Sequence, residues 1–216
     1  MKRSLTLICT CLLAQTAFAA EPFPLTRDEY KMFKHYQSAI DDPRVQKMKP
    51  EARLAAIARD AHYKPKELQA AVDKGEAAGD LKARCEQGIK EAIDAGALKG
   101  LSGKIEADLA EEHGVAYVQW LNENPDKLAP EACVAARAGI DGCPLVSSVQ
   151  VWAQDKANPK ARVFQALISA TAADKIKTDK LKDFAETRYI RLFEKVKSVK
   201  NGDDLSAESG TPTAKP

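Results

Sequence analysis

The sequence is poor in the groups that most metal sites and catalytic centres need. It has 3 histidines and 5 cysteines in 216 residues, with no C-x-x-C and no H-E-x-x-H motif. Zinc sites and thiol exchange centres depend on such clusters of nitrogen and sulfur groups. It also lacks the G-x-S-x-G and G-x-x-x-x-G-K-[ST] segments of hydrolases and nucleotide-binding loops. We therefore predict no catalytic residue, no metal and no cofactor, and we favour a non-enzymatic role.

The sequence also lacks an excess of charge of either sign. It has 33 Lys and Arg residues against 31 Asp and Glu residues, a formal net charge of +2. Nucleic acids and anionic lipid surfaces attract strongly basic chains, so the balanced composition argues against nucleic acid as a partner. With 44% hydrophobic and 30% charged residues, the composition is typical of a globular protein.

The first twenty residues have the three-part layout of a secretory signal. Lys2 and Arg3 form a basic start, an apolar run occupies residues 5–13, and Ala17-Phe18-Ala19 matches the A-x-A cleavage pattern. The run is shorter than the roughly 20 residues of a membrane-spanning helix. Residues 1–20 are therefore predicted to be a signal peptide.

This signal predicts where the product is located. We expect cleavage at Ala19-Ala20 or Ala20-Glu21 and a periplasmic or secreted product. The short, basic-led signal is typical of a bacterium, and no later segment of the sequence is apolar enough to span a membrane. We therefore expect no stable membrane insertion after cleavage.

Three cysteines follow the predicted cleavage point: Cys85, Cys133 and Cys143. An odd number in an oxidising compartment allows one disulfide and one remaining thiol. A Cys133–Cys143 bond requires a sharp return of the chain, because a helix rises about 1.5 Å per residue and the two Cα atoms must lie about 4.4–6.8 Å apart. A bond from Cys85 to either partner is equally open, as is a state in which all three are reduced and buried.

Residues 21–100 are predicted to be a helical region. Thr26 and Glu29 form a capping box. Pro50 and Pro65 each open a further helix, at a position where the missing amide hydrogen would have no partner in any case. A fourth helix follows Gly79-Asp80 and carries Leu81, Cys85, Ile89 and Ile93 on one face. Four helices of this length predict an antiparallel cluster.

The spacing of residues 54–61 and 66–72 resembles a helix-turn-helix of the bacterial repressor type, over about twenty residues. The resemblance implies that the second helix enters the major groove of DNA. Residues 27–67 contain 10 Lys or Arg and 7 Asp or Glu, which is only a slight excess, and a secretory signal contradicts DNA binding. We interpret the segment as two helices that pack on each other.

After Gly103 the apolar spacing changes from helical to alternating. The order predicted is strand, strand, helix, strand, strand and helix, at residues 104–109, 115–121, 125–139, 146–155, 162–169 and 172 or 179 to 199. The sequence thus predicts an α+β fold, with an N-terminal helical cluster followed, over residues 101–200, by a helix-backed antiparallel sheet of ββαββα order. Residues 201–216 are predicted to be a disordered tail.

The predicted last helix supplies two candidate interface residues. At 100° per residue, Ile190 lies nearly opposite the apolar stripe of this helix, and Phe193 lies on the flank of the stripe. Exposed strand edges offer a second route, because an edge strand can pair with a strand of another chain. Trp120 and Trp152 suit either an interface or the core, and we favour the core.

These observations predict an exported bacterial envelope protein that acts as a protein-interaction or accessory subunit, with a protein partner in the envelope. The alternative is a periplasmic protein, either a ligand binder or an enzyme, with a pocket between its two halves. A DNA-binding role comes last. The oligomeric state is left open.

Overall fold

The computed structural model describes residues 23–95, 103–177 and 187–198, so the predicted signal peptide and the predicted tail lie outside it. The helices come first: α1 (Arg27–Ile40), α2 (Pro43–Gln46), α3 (Pro50–Asp60), α4 (Pro65–Ala77) and α5 (Leu81–Ala95). After β1 (Ile105–Asp108) and β2 (Val115–Asn122), a 3₁₀ turn at Pro125–Lys127 leads into α6 (Leu128–Gly142). The remaining elements are β3 (Ser148–Asp155), β4 (Arg162–Ser169), α7 (Ala170–Ala173), a 3₁₀ segment at Thr187–Leu192 and β5 (Glu194–Ser198). The fold is α+β, as predicted.

The first helices begin where their capping signals predict. The Thr26 hydroxyl accepts from the Glu29 amide at 3.2 Å, and the Thr26 amide donates to the Glu29 carboxylate at 2.8 Å. This capping box satisfies two backbone amides that the helix itself leaves unpaired. Pro50 and Pro65 occupy the first positions of α3 and α4. Local chemistry therefore sets these three helix starts.

Helices α1, α3 and α4 share a small core of their own. Phe33 of α1 packs there with Ile57 of α3 and Leu68 of α4. The segment that resembles a helix-turn-helix thus buries its apolar side chains against α1. Phe33 also covers Gly75, where an added Cβ would lie 2.5 Å from the ring.

Helix α5 packs on the other half of the molecule instead. Its buried residues Cys85, Ile89 and Ile93 belong to the same core as α6 and the sheet. The two helices approach closely, since a Cβ at Gly88 would lie 2.2 Å from the Gly142 carbonyl oxygen. The predicted four-helix cluster is therefore only partly formed: α1, α3 and α4 share one core, and α5 supports the sheet.

The close approach of α5 and α6 also decides the cysteine pairing. Cys85 and Cys143 form a disulfide, with their Cα atoms 4.6 Å apart. Cys133 is a free thiol inside α6 and is 1% exposed. Burial raises the pKa of this thiol to about 12, because the apolar surroundings disfavour the thiolate. Of the alternatives that the sequence leaves open, the structure contains the Cys85–Cys143 bond.

The sheet has five strands in the order β1-β2-β3-β4-β5. Its first two strands are antiparallel, as are β3 with β4 and β4 with β5, but β2 and β3 run parallel. The prediction of a purely antiparallel sheet is therefore wrong for the pairing of β2 with β3. Helix α6 carries the chain back along the sheet before β3 begins, and such a crossover returns the next strand in the same direction.

The predicted helix up to residue 199 is also wrong in its last part. Residues 194–198 form β5, which pairs with the edge of β4. Lys195 adopts a φ of 51°, which is incompatible with a continuous right-handed helix. Pairing with a free strand edge has overridden the local apolar spacing, which is the usual limit of such periodicity. Residues 178–186, where the same helix was expected, lie outside the described residues.

Candidate binding surface

The two faces of the sheet have opposite environments. The inner face packs against α5, α6 and α7, and its apolar side chains are at most 3% exposed. It consists of Ala107, Ala116, Val118, Trp120, Val149, Val151, Ala153, Phe164, Ala166 and Ile168. Alternate residues of the same strands point the other way. Together with Arg162, which a bulge in the strand pairing next to Gln154 brings to the same side, they form what we call the outer face. Its side chains are partly exposed and include Tyr117, Gln119, Leu121, Gln150, Trp152, Gln154, Gln165 and Leu167.

Trp152 lies at the centre of the outer face. Its ring is 5.8 Å from the ring of Tyr117, measured between centroids, and the two planes are tilted by 59°. The guanidinium carbon of Arg162 lies over the ring of Trp152, 5.1 Å from its centroid. Arg162 also donates to the Gln165 side chain at 3.1 Å. These contacts hold one cation and two aromatic rings in fixed positions on a rigid sheet.

Glutamines surround this centre. Gln119 lies beside Trp152 in the parallel pairing of β2 and β3, and Gln165 lies opposite it on β4. The Gln119 amide donates to the side chain of Gln154, which links two neighbouring strands. Each side-chain amide offers both donors and an acceptor. The outer face therefore provides neutral hydrogen-bonding groups around an aromatic and cationic centre.

Carboxylates lie at the margins of the outer face. Glu106 and Asp108 flank the inward-facing Ala107 on β1, opposite Tyr117 and Val115 of β2. The Lys104 ammonium hydrogen-bonds to Glu106 at 2.9 Å and lowers the pKa of that carboxyl. At the other margin Glu194 pairs with Leu167. The outer residues of the three central strands include no Asp, Glu or Lys.

A polar cluster surrounds Trp120 on the inner face of the sheet. The Trp120 indole donates to the Glu131 carboxylate at 2.7 Å, and the Asn122 amide donates to the same oxygen at 2.7 Å. Asn122 is 4% exposed, so its amide needs such a partner. From the sequence, we favour the core for both tryptophans. Trp120 does fill the core, whereas Trp152 lies on the outer face.

The edges of the described sheet are poorly suited to strand addition. β1 has only four residues, and the Ala107 amide already donates to the Glu86 carboxylate of α5 at 3.1 Å. β5 has five residues and carries the exposed Lys195 and Lys197. Short edges and edge lysines both discourage pairing with another chain. The outer face is the better candidate for a binding surface.

Of the two predicted interface residues of the last helix, only Phe193 has a described side chain. Phe193 is 7% exposed and packs in the main core. The side chain of Ile190 lies outside the described residues. Because residues 194–198 form a strand, the helical face on which both were placed is not formed there. Sequence reasoning missed Tyr117, Gln119 and Arg162, although the alternation Gln150-x-Trp152-x-Gln154 already contains the signal of a second, non-core face.

Searches for a metal site, a membrane span and related proteins give no further assignment. Among the described residues, no group of three His, Cys, Asp or Glu side chains could hold a metal ion. Within the same residues no helix is both long and apolar enough to cross a membrane. No protein-family model, curated protein or solved structure matches the chain significantly.

Proposed function

We propose that this chain is a non-catalytic component of a bacterial cell envelope that binds a partner protein through the outer face of its sheet. The observation that carries the proposal is the cluster of Trp152, Arg162 and Tyr117 at the centre of that face. Tryptophan, tyrosine and arginine dominate the binding energy of protein interfaces.

The distribution of charge supports a protein as the partner. The centre of an interface is depleted in Lys, Glu and Asp, and its rim is polar. The outer face follows this arrangement, because its carboxylates Glu106, Asp108 and Glu194 lie on the marginal strands. A polyanion would meet only one cation at the centre, Arg162, beside uncharged glutamines.

The size of the face favours a weak or regulated contact. The central strands have eight residues each, about 26 Å in length, and five strands span about 20 Å in width. Because the marginal strands β1 and β5 have only four and five residues, this flat footprint of about 500 Å² is an upper limit, and it is small for a specific interface. We therefore propose an accessory subunit that associates reversibly.

The predicted secretory signal indicates the compartment in which we expect the proposed partner. Lys2 and Arg3, the apolar run after them and Ala17-Phe18-Ala19 support export. The Cys85–Cys143 disulfide fits an oxidising compartment. Together they support the periplasm as the place where partner and chain meet.

Site-specific photocrosslinking in intact cells tests this function. A benzoylphenylalanine at Gln150 should give a discrete crosslinked band, because this position lies beside Tyr117 on the outer face. The matched control places the same probe at Glu51, an exposed position of α3. A second substitution, Trp152→Ala, should remove the band from Gln150.

Three outcomes would contradict the proposal. They are no band from Gln150, equal bands from Gln150 and Glu51, or a band that survives Trp152→Ala in a chain whose circular dichroism spectrum is unchanged. Fractionation of the same cells tests the compartment separately, since a product that keeps residues 1–20 in the cytoplasm would refute export.

A further inference from the structure

A groove lies between helix α1 and the strand-connecting turn of the sheet. On one side is α1, and on the other is the turn at residues 109–114 that joins β1 and β2. The Tyr30 hydroxyl of α1 donates to the backbone carbonyl oxygen of Leu109 at 2.5 Å and lies 3.2 Å from that of Glu111. His35 of α1 contacts the Glu112 carboxylate at 3.3 Å. These contacts fix the turn against the helix, so the groove has rigid walls.

The groove has two adjoining parts. The first has a volume of about 480 Å³ and is lined by Lys34, Gln37, Ser38, Glu111, Glu112 and His113, with Ala110. The second has a volume of about 410 Å³ and also contacts Lys34 and Gln37. Both volumes fall in the roughly 300–1,000 Å³ range of small-molecule sites.

The first part is polar and its side chains are largely unused. Within the part of the chain that the structure describes, the side chains of Lys34, Gln37, Ser38, Glu111 and His113 form no hydrogen bond and no ion pair. Unpaired charges also occur elsewhere on the described helices, as at Glu51 and Lys66, so the groove is distinguished by the opposite charges that it brings together. The groove thus presents a cation on its helical wall and carboxylates on its turn.

The second part is more apolar. Tyr30, Phe33, Leu81 and Leu109 contribute to its lining, together with the charged side chains of Glu76 and Lys82. A ligand that extends through both parts would meet charges of both signs along its length and apolar side chains in the second part. A purely anionic ligand would face Glu111 and Glu112, and a purely cationic one would face Lys34, so each would be opposed by like charge.

We infer that this groove binds a small zwitterion with an apolar substituent, namely an apolar amino acid or a short peptide. The Lys34 ammonium receives the ligand's carboxylate, and Glu111 receives its ammonium group. The apolar side chain of the ligand lies toward Phe33 and Leu81. This site is separate from the outer face and does not depend on the proposed partner.

Isothermal titration of the purified protein with leucine and with the dipeptide Leu-Leu tests the inference. N-acetyl-Leu-Leu removes the ammonium charge, and Leu-Leu amide removes the carboxylate. We expect Leu-Leu or leucine to bind at millimolar concentration or below, and either capped peptide to bind about fivefold more weakly, the loss of one partly exposed ion pair. Comparison of leucine with Leu-Leu distinguishes an amino-acid site from a peptide site.

Substitutions assign the two charges. Lys34→Gln should weaken Leu-Leu about fivefold but should not weaken Leu-Leu amide, because the amide has no carboxylate for Lys34 to bind and loses a like-charge repulsion. Glu111→Gln should weaken Leu-Leu but should not weaken N-acetyl-Leu-Leu, for the same reason with the charges reversed. Lys66→Gln and Glu51→Gln, at exposed positions outside the groove, should leave all four ligands unchanged.

Any of several results would overturn the inference. These are the absence of binding by both leucine and Leu-Leu, equal binding of the free and capped peptides, or losses in the Lys34 and Glu111 variants that do not depend on the matching charge of the ligand. Both variants replace partly or fully exposed side chains, and their melting temperatures verify that the fold is retained.

Discussion

The Arg162 guanidinium carbon lies 5.1 Å from the centroid of the Trp152 ring. The two residues belong to antiparallel neighbours, β4 and β3, and a bulge next to Gln154 brings Arg162 over the ring. The contact therefore depends on an irregularity of strand pairing that neither strand reveals alone.

This contact should be measurable as a coupling energy. In a double-mutant cycle, Arg162→Ala and Trp152→Ala should couple by about 0.5–1 kcal/mol, the usual value of a cation–π contact at a partly exposed site. Urea unfolding of the four proteins gives the value. A cycle of Arg162→Ala with Tyr117→Ala serves as the comparison, and a zero coupling to Trp152 would show that the stacking is not maintained in solution.

Glu131 should be more important for stability than its position in the first turn of α6 suggests. Glu131→Ala removes the acceptor of the Trp120 indole and one of the two acceptors of the Asn122 amide, which still donates to the Asn124 carbonyl oxygen. An unpaired buried N–H costs about 1–3 kcal/mol. Glu131→Gln retains a carbonyl oxygen and should cost less. Equal losses in free energy of unfolding for the two variants would contradict the role of the shared oxygen.

The disulfide should contribute strongly to stability. Cys85 and Cys143 are 58 residues apart, and closing a loop of that length in the unfolded chain is worth about 4 kcal/mol in the chain-entropy model. The double variant Cys85→Ala, Cys143→Ala should lose a large part of that amount in urea unfolding, whereas Cys133→Ala leaves the bond intact. Non-reducing peptide mapping should yield the linked pair, and a Cys133-containing linked peptide would contradict the pairing.

Alkaline pH should destabilise the fold through Cys133. Its pKa is raised from the ordinary value of 9.0 to about 12, so the thiol keeps its proton in the folded state at a pH where the unfolded chain loses it. The contribution of the protonated Cys133 thiol to the free energy of unfolding is complete below pH 9. It is lost as the pH rises from about 9 toward 12, at about 1.4 kcal/mol per pH unit. The free energy of unfolding at pH 8 and pH 10 should therefore fall more in the native protein than in Cys133→Ala.

Tyr30 changes stability in the same direction but at higher pH. Burial and the nearby carboxylates of Asp108 and Glu111 raise the pKa of its phenol above the ordinary value of 10.0, so its contribution declines only above pH 10. An identical fall between pH 8 and pH 10 in the native protein and in Cys133→Ala would refute the assignment to the thiol.

Local chemistry made much of the fold predictable. The capping box at Thr26 and the prolines at positions 50 and 65 act within one turn of helix, and the predicted starts are confirmed. Alternation located strands β1 to β4, including β4 at Arg162–Ser169 as predicted. These features depend on neighbours along the chain, which a sequence displays directly.

The candidate binding surface was harder to predict from the sequence. The alternation of β2, β3 and β4 separates two sets of side chains, but it does not say which strands are neighbours. Only the parallel pairing of β2 with β3 places Tyr117 beside Gln150, and only the bulge on β4 places Arg162 over Trp152. The groove likewise needs α1 and the β1–β2 turn, which are more than seventy residues apart.

By itself, the sequence predicted an export signal and determined the helix starts and the α+β order, because each depends on residues a few positions apart. The tertiary structure decided the Cys85–Cys143 pairing, the parallel step between β2 and β3, and β5 in place of a helical ending. These choices minimise the free energy of packing between distant segments. Close contact of Gly88 with Gly142 and a free edge on β4 exist only once the chain has folded.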